Sequence, residues 1–206
     1  IRICLVGSEM CIRDSPTGGH FDYGRQGTST THALSKILTK LEESYHVFLT
    51  PTGFGSVFLA MFSVVRPGDE ILVSDPVYSP TRILTQDFFK DFNIKAIFYN
   101  ARDLSTLKKN ITKKTKLIFV ENPGSNTFEF QDLSKIISIA KKNKIFTAMD
   151  NTWGTPYFLK PIKLGFDMAI VSATKYYSGH SDVMGGSLAV NKRVFKLSLI
   201  HISEPT

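Results

Sequence analysis

Ile145-Phe146-Thr147-Ala148-Met149-Asp150 and Met168-Ala169-Ile170-Val171-Ser172-Ala173-Thr174-Lys175 are the two stretches on which the fold turns. Each is a short apolar run closed by residues capable of chemistry. One ends on a carboxylate, the other on two hydroxyls and an amine. A strand covered on both faces reads as an unbroken apolar run rather than an alternating one. Residues 117–121 read the same way, and 47–50, 70–74 and 95–99 are further strands, with 186–190 as an additional candidate. Helical patterns lie between them. Residues 55–65 form an apolar helix stopped by Arg66-Pro67-Gly68-Asp69. Residues 80–92 place Ile83, Leu84, Phe88 and Phe92 at helical spacing. Asp103 caps a short helix to about Asn110, and Asp132 caps one to Lys142 with Leu133, Ile136, Ile137 and Ala140 on one face. Strands alternating with helices predict an α/β fold, a mainly parallel sheet sandwiched by helices. Ligands of such sheets bind beyond the carboxyl ends of the strands. Three of these ends carry chemistry: Thr50-Pro51-Thr52-Gly53, Asp150, and Ser172 to Lys175.

The chain has 206 residues, 42% hydrophobic and 21% charged, enough apolar material for a core. No apolar run reaches the roughly 18 residues of a membrane span, and nothing reads as a signal peptide. The formal net charge of +7 comes mostly from lysines in short runs, such as Lys108-Lys109 and Lys141-Lys142. Those runs sit at apparent helix ends, where cations complement the helix dipole. With no arginine-rich stripe and no basic-aromatic interleaving, neither a nucleic-acid nor a membrane partner is expected. No metal site is expected either.

The two ends of the chain are related by back-translation. One DNA element, read in opposite orientations, can encode both Leu5-Val6-Gly7-Ser8-Glu9-Met10-Cys11-Ile12-Arg13-Asp14 and Leu197-Ser198-Leu199-Ile200-His201-Ile202-Ser203-Glu204-Pro205-Thr206. The element resembles a transposon-end adaptor of sequencing libraries. Residues 1–15 and 197–206 are therefore expected to say nothing about the fold, and Cys4 and Cys11 nothing about redox compartment. Between them, 16–44 are expected to form an arm, extended over 18–30, and a first helix. Residues 45–196 are expected to form the main, truncated domain.

A lone lysine after a strand is ordinarily solvated. Lys175 differs in its neighbours. Ser172 and Thr174 offer hydroxyls to a phosphate, Gly179 permits tight backbone packing, and a partly deprotonated lysine amine adds to carbonyl groups. In Thr52-Gly53-Phe54-Gly55, Gly53 and Phe54 can present N–H groups to a phosphate at a helix start.

Residues 167–181 resemble the pyridoxal-phosphate (PLP) attachment signature of the Cys/Met-metabolism enzymes, a fold-type I PLP family, and the resemblance extends over nearly all of 18–196. It implies that Lys175 carries PLP as a Schiff base and that Ser172 and Thr174 help hold the phosphate. It implies that Asp150 pairs with the pyridinium nitrogen, keeping the ring an electron sink. Gly53 and Phe54 match the phosphate loop. Tyr78, in Asp75-Pro76-Val77-Tyr78, matches the tyrosine stacked on the ring. In Tyr23-Gly24-Arg25-Gln26-Gly27-Thr28, Tyr23 and Arg25 match an arm that reaches the phosphate of a neighbouring subunit. An arginine fork suits that role. The implied catalytic set is Lys175, Tyr78 and Tyr23, with Trp153 and His180 in packing or supporting roles. The implied protein is a cytoplasmic homodimer or homotetramer acting on a small amino-acid substrate. A C-terminal domain that supplies an arginine for the substrate carboxylate is expected to be missing from this chain. Tyr23-Gly24-Arg25 and Glu121-Asn122-Pro123-Gly124-Ser125 resemble the branch that performs α,β-elimination on cystathionine, giving homocysteine, pyruvate and ammonia. The γ-acting relatives, or a PLP-binding fragment without turnover, are the alternatives.

Overall fold

The computed structural model describes residues 27–195 and Leu197. Seven strands form one sheet: β1 (His46–Thr50), β2 (Glu70–Ser74), β3 (Lys95–Tyr99), β4 (Thr115–Glu121), β5 (Phe146–Asp150), β6 (Met168–Val171) and β7 (Gly186–Val190). Their order is β1-β7-β6-β5-β4-β2-β3. β7 runs antiparallel to both β1 and β6, and the other pairings are parallel. All strands except β7 therefore end on the same edge. β2 pairs with β3 on one side and β4 on the other, so the order reverses there, and the crevice outside such a reversal is where open α/β sheets take ligands.

The helices are α1 (Ser29–Leu41), α2 (Gly53–Val64), α3 (Ser79–Ile83), α4 (Leu104–Lys109), α5 (Leu133–Asn143), α6 (Thr155–Phe158) and α7 (Pro161–Leu164). Of the stretch expected to be extended, 18–26 lie outside the described residues, and Ser29 and Thr30 are already helical, because the Thr28 side chain accepts from Thr31 N in a capping box that starts α1. Asp103 and Asp132 cap α4 and α5 as expected, each accepting a first-turn N–H. No helix among the described residues is long and apolar enough to cross a membrane.

The strands alternate their side chains between two apolar layers. Ile71, Val73, Leu117, Phe119 and Ala148 pack under α2 with Val57 and Met61. Leu72, Ile118, Val120 and Met149 pack with Ile136, Ile137 and Ala140 of α5. Both faces are covered, which explains the unbroken apolar runs.

One expected helix differs. Residues 80–92 do not form a regular helix: α3 passes into a π-helical turn at Leu84–Phe88 and then a last α turn at Phe89–Asp91. Phe89 N–H reaches back to Leu84 O, five residues away, so these two side chains share the buried side at 0% and 5% exposure. Ile83, Phe88 and Phe92, expected in the core, are 59%, 44% and 45% exposed. The wider turn rotates the buried stripe by one residue.

Candidate active site

The carboxyl edge gathers the reactive residues. β1 leads through Thr52 into α2. The Thr52 hydroxyl accepts from Gly55 N at 2.8 Å, fixing the helix start. The Gly53 and Phe54 N–H groups open the helix, without intrahelical acceptors and at its positive end. Gly53 lies against the end of β6: a β-carbon there would stand 2.5 Å from Ser172 Oγ. The absence of a side chain is what lets the helix start and the Ser172 hydroxyl share one spot. Ser172 is itself held by its N–H, which donates to Thr152 Oγ1 at 2.9 Å.

Asp150 ends β5 beside this point. Its Oδ1 accepts from Thr152 N at 3.0 Å, and it has no salt-bridge partner among the described residues. Burial raises its pKa above the ordinary carboxylate value, against the pull of the Thr152 hydrogen bonds. In register on β4 stands Glu121, a site residue the sequence reading did not single out. Burial, then the neighbouring Asp150 carboxylate, push Glu121 up to about 8. Glu121 Oε2 accepts from Tyr78 N at 2.6 Å, and Glu121 N donates to Ser74 Oγ at 3.1 Å. The carboxyl thus anchors the loop that presents Tyr78, whose side chain is half exposed. Only strand register reveals Glu121. In sequence it closes an apolar run and opens the Glu121–Ser125 stretch, but nothing local pairs it with Asp150.

Lys175 follows β6 on a tight turn, its N–H donating to Ser172 O at 3.0 Å and its C=O accepting from Gly179 N at 2.8 Å. Thr174 is tied to the start of β7, its hydroxyl donating to Gly185 O at 3.2 Å and accepting from Gly185 N at 3.1 Å. That hydroxyl already has a protein acceptor, so Ser172 is the freer of the two expected phosphate donors.

A cavity of about 950 Å³ is lined by Gly53, Phe54, Tyr78, Glu121, Asp150, Ser172, Thr174 and Lys175 together. Phe128, Trp153 and Tyr176 form an aromatic rim on it, with ring centroids 5.4 Å and 6.3 Å apart. Trp153, expected to pack, therefore borders the open cavity. His180 is exposed and does not line the cavity; its Nδ1 lies 2.7 Å from Ser178 O. Tyr23 and Arg25 lie outside the described residues. No cluster of three or more potential metal ligands occurs among the described residues.

The residues fit PLP. A helix N-terminus and the Ser172 hydroxyl offer donors to a phosphate, Lys175 an amine to an aldehyde, and a buried carboxyl without a cation a place for a protonated ring nitrogen.

Fold and site together define an α/β domain with a cavity at its carboxyl edge whose lining suits a phosphate-bearing cofactor. Comparison with known proteins narrows this further. The family model described as Cys/Met metabolism PLP-dependent enzyme matches residues 9–203, and the chain belongs to that family. It is 35% identical over 170 residues to a cystathionine beta-lyase of Bordetella avium, covering 82% of this chain and 42% of the relative. It is 34% identical over 178 residues to an L-alanine/L-glutamate racemase of Wolbachia pipientis, covering 86% of this chain and 43% of the relative. A solved Campylobacter jejuni chain of the O-acetylhomoserine (thiol)-lyase type, carrying N′-pyridoxyl-lysine-5′-monophosphate, superposes with a TM-score of 0.80 at 33% identity, covering 85% of this chain and 43% of that one. The chain thus spans less than half the length of these relatives, and its architecture is that of part of the large domain of fold-type I PLP enzymes.

Proposed function

We propose that Lys175 carries PLP and that the protein containing this chain cleaves the carbon–sulfur bond of cystathionine by α,β-elimination, in the cytoplasm. The observation that carries the reading is the convergence of Lys175, Asp150 and the α2 N-terminus on one cavity. Bound PLP supplies an electron sink for negative charge at the substrate α-carbon. The Gly53 and Phe54 N–H groups and the Ser172 hydroxyl hold the phosphate, with Thr174 bracing the turn against Gly185. The Asp150 carboxylate would keep a proton on the ring nitrogen, and that pairing would offset the burial that raises its pKa. Tyr78, whose loop is anchored through Glu121, would help hold the cofactor ring. The Lys175 amine, when free, would remove the substrate α-proton as general base. Lys175 or Tyr78 would then protonate the leaving sulfur, which departs as homocysteine, and one water, consumed in hydrolysing the three-carbon enamine set free, gives pyruvate and ammonia. In a homodimer or homotetramer, Tyr23 and Arg25 would serve the phosphate of a neighbouring subunit. The likeness to an O-acetylhomoserine (thiol)-lyase type structure favours a γ-acting reaction as the second reading.

The test uses the full-length protein incubated with PLP, reduced with borohydride and peptide-mapped. Label on Lys175, lost in Lys175→Ala, supports the cofactor reading, and label elsewhere or none overturns it. With cystathionine, pyruvate supports β-elimination, whereas 2-oxobutyrate assigns a γ-acting enzyme. D-alanine formed from L-alanine without either keto acid assigns a racemase.

A further inference from the structure

The loop that carries Lys175 is tied on its other side to a buried carboxyl. Tyr177 stands two positions beyond Lys175 and does not line the cavity. It packs instead against the apolar cluster of Leu38, Val47, Ala169 and Ala189, beneath the β1–β7–β6 end of the sheet. Its hydroxyl donates to Glu42 Oε1 at 2.9 Å. Glu42 is the C-cap of α1, is 0% exposed, and has its N–H bonded to Leu38 O at 2.8 Å. Its second oxygen, Oε2, is buried with no hydrogen-bond partner among the described residues.

The groups facing this carboxyl are few. Tyr177 meets it from the lysine loop, Ser187 of β7 lies beside the Tyr177 hydroxyl, and Lys160 approaches from the segment between α6 and α7. Lys160 is itself bonded to Glu43 at 2.5 Å, and Lys163 to the other Glu43 oxygen at 3.0 Å. Burial, outweighing Tyr177 and Lys160, pushes Glu42 up to about 7. An apolar pair would pack here without that desolvation penalty. A buried, half-satisfied carboxyl in its place calls for another reason, and the geometry of the loop offers one. Lys175 N–H is bonded to Ser172 O, and Ser178 N–H to Ala173 O at 3.1 Å, so the backbone between Lys175 and Tyr177 is a closed turn. Where Tyr177 is held, Lys175 is held.

We propose that Glu42 is a positioning residue for Lys175: acting through Tyr177, it pins the lysine turn to the end of α1 and so sets where the amine stands in the cavity. This rests on the reading of Lys175 as the cofactor lysine.

The test compares Tyr177→Phe, Glu42→Gln and the double variant in the full-length holoenzyme. Two readouts are followed: the pH midpoint of the absorbance of the PLP–Lys175 link, and kcat apart from KM. Tyr177→Phe is expected to shift the midpoint and lower kcat about tenfold with KM little changed, since small misplacements of a reacting group act on the chemical step. Glu42→Gln is expected to move both in the same direction, and the double variant to add nothing to Tyr177→Phe. An unchanged midpoint with unchanged kcat, even with a lowered melting temperature, overturns the proposal and leaves the pair a packing contact. If Tyr177→Phe does not fold, the shape-conserving Glu42→Gln decides by the same two readouts. A wild-type enzyme with no borohydride-trapped Lys175 would instead overturn the cofactor reading itself.

Discussion

At the scale of single residues, close approach and burial decide what each group can do. Gly53 has Ser172 Oγ where its β-carbon would stand, at 2.5 Å. Gly53→Ala must push the α2 start away from Ser172, and overpacking of this kind costs about 1–3 kcal/mol. Because the strain falls on the proposed phosphate donors, PLP affinity should drop by roughly tenfold or more in a cofactor titration. Glu42 makes a different prediction. Its pKa is 4.5 ordinarily and about 7 in the fold, so the folded state holds this proton more tightly than the unfolded chain. The stability tied to it is whole below pH 4.5 and is lost as pH rises to about 7. Urea unfolding midpoints measured across that window should fall with pH in the wild type and fall less steeply in Glu42→Gln. Asp150 and Lys175 were legible because each closes an apolar run. Glu121 and Glu42 were not: their importance comes from a neighbouring strand and from a tyrosine far along the chain.

At the scale of elements, the segment after Tyr78 is the instructive one. Regular helical spacing would bury Ile83, Leu84, Phe88 and Phe92, whereas the π turn buries Leu84, Thr85 and Phe89. The two arrangements rank substitutions differently. Phe89→Ala should cost about 3–5 kcal/mol, as for a fully buried aromatic. Phe88→Ala should cost only about 1 kcal/mol, because Phe88 keeps edge contacts with Phe58 and Phe92 but half faces solvent. Chemical denaturation of the two variants checks the order, and the reverse ranking would restore the regular helix. A π turn leaves no local mark in sequence. It arises because α3 must leave the Tyr78 loop and still seat Phe89 against Phe58 and the α2 layer.

At the scale of the whole molecule, the sheet separates two apolar layers. Ile71 belongs to the layer under α2 and Ile136 to the layer under α5. Each Ile→Val change should cost about 0.5–1.5 kcal/mol. With no shared cluster, the double variant should equal the sum within about 0.5 kcal/mol in urea titrations. The alternation of strands and helices, the parallel core and the reactive carboxyl edge all follow from local patterns: apolar runs, caps and chain breakers act over a few residues and are written there. The strand order, the reversed β7, the Glu121–Asp150 register, the π turn and the Tyr177–Glu42 tie belong to the tertiary structure alone. Each joins residues that no local pattern relates, and the packing of the whole chain chooses among the pairings that local patterns leave open.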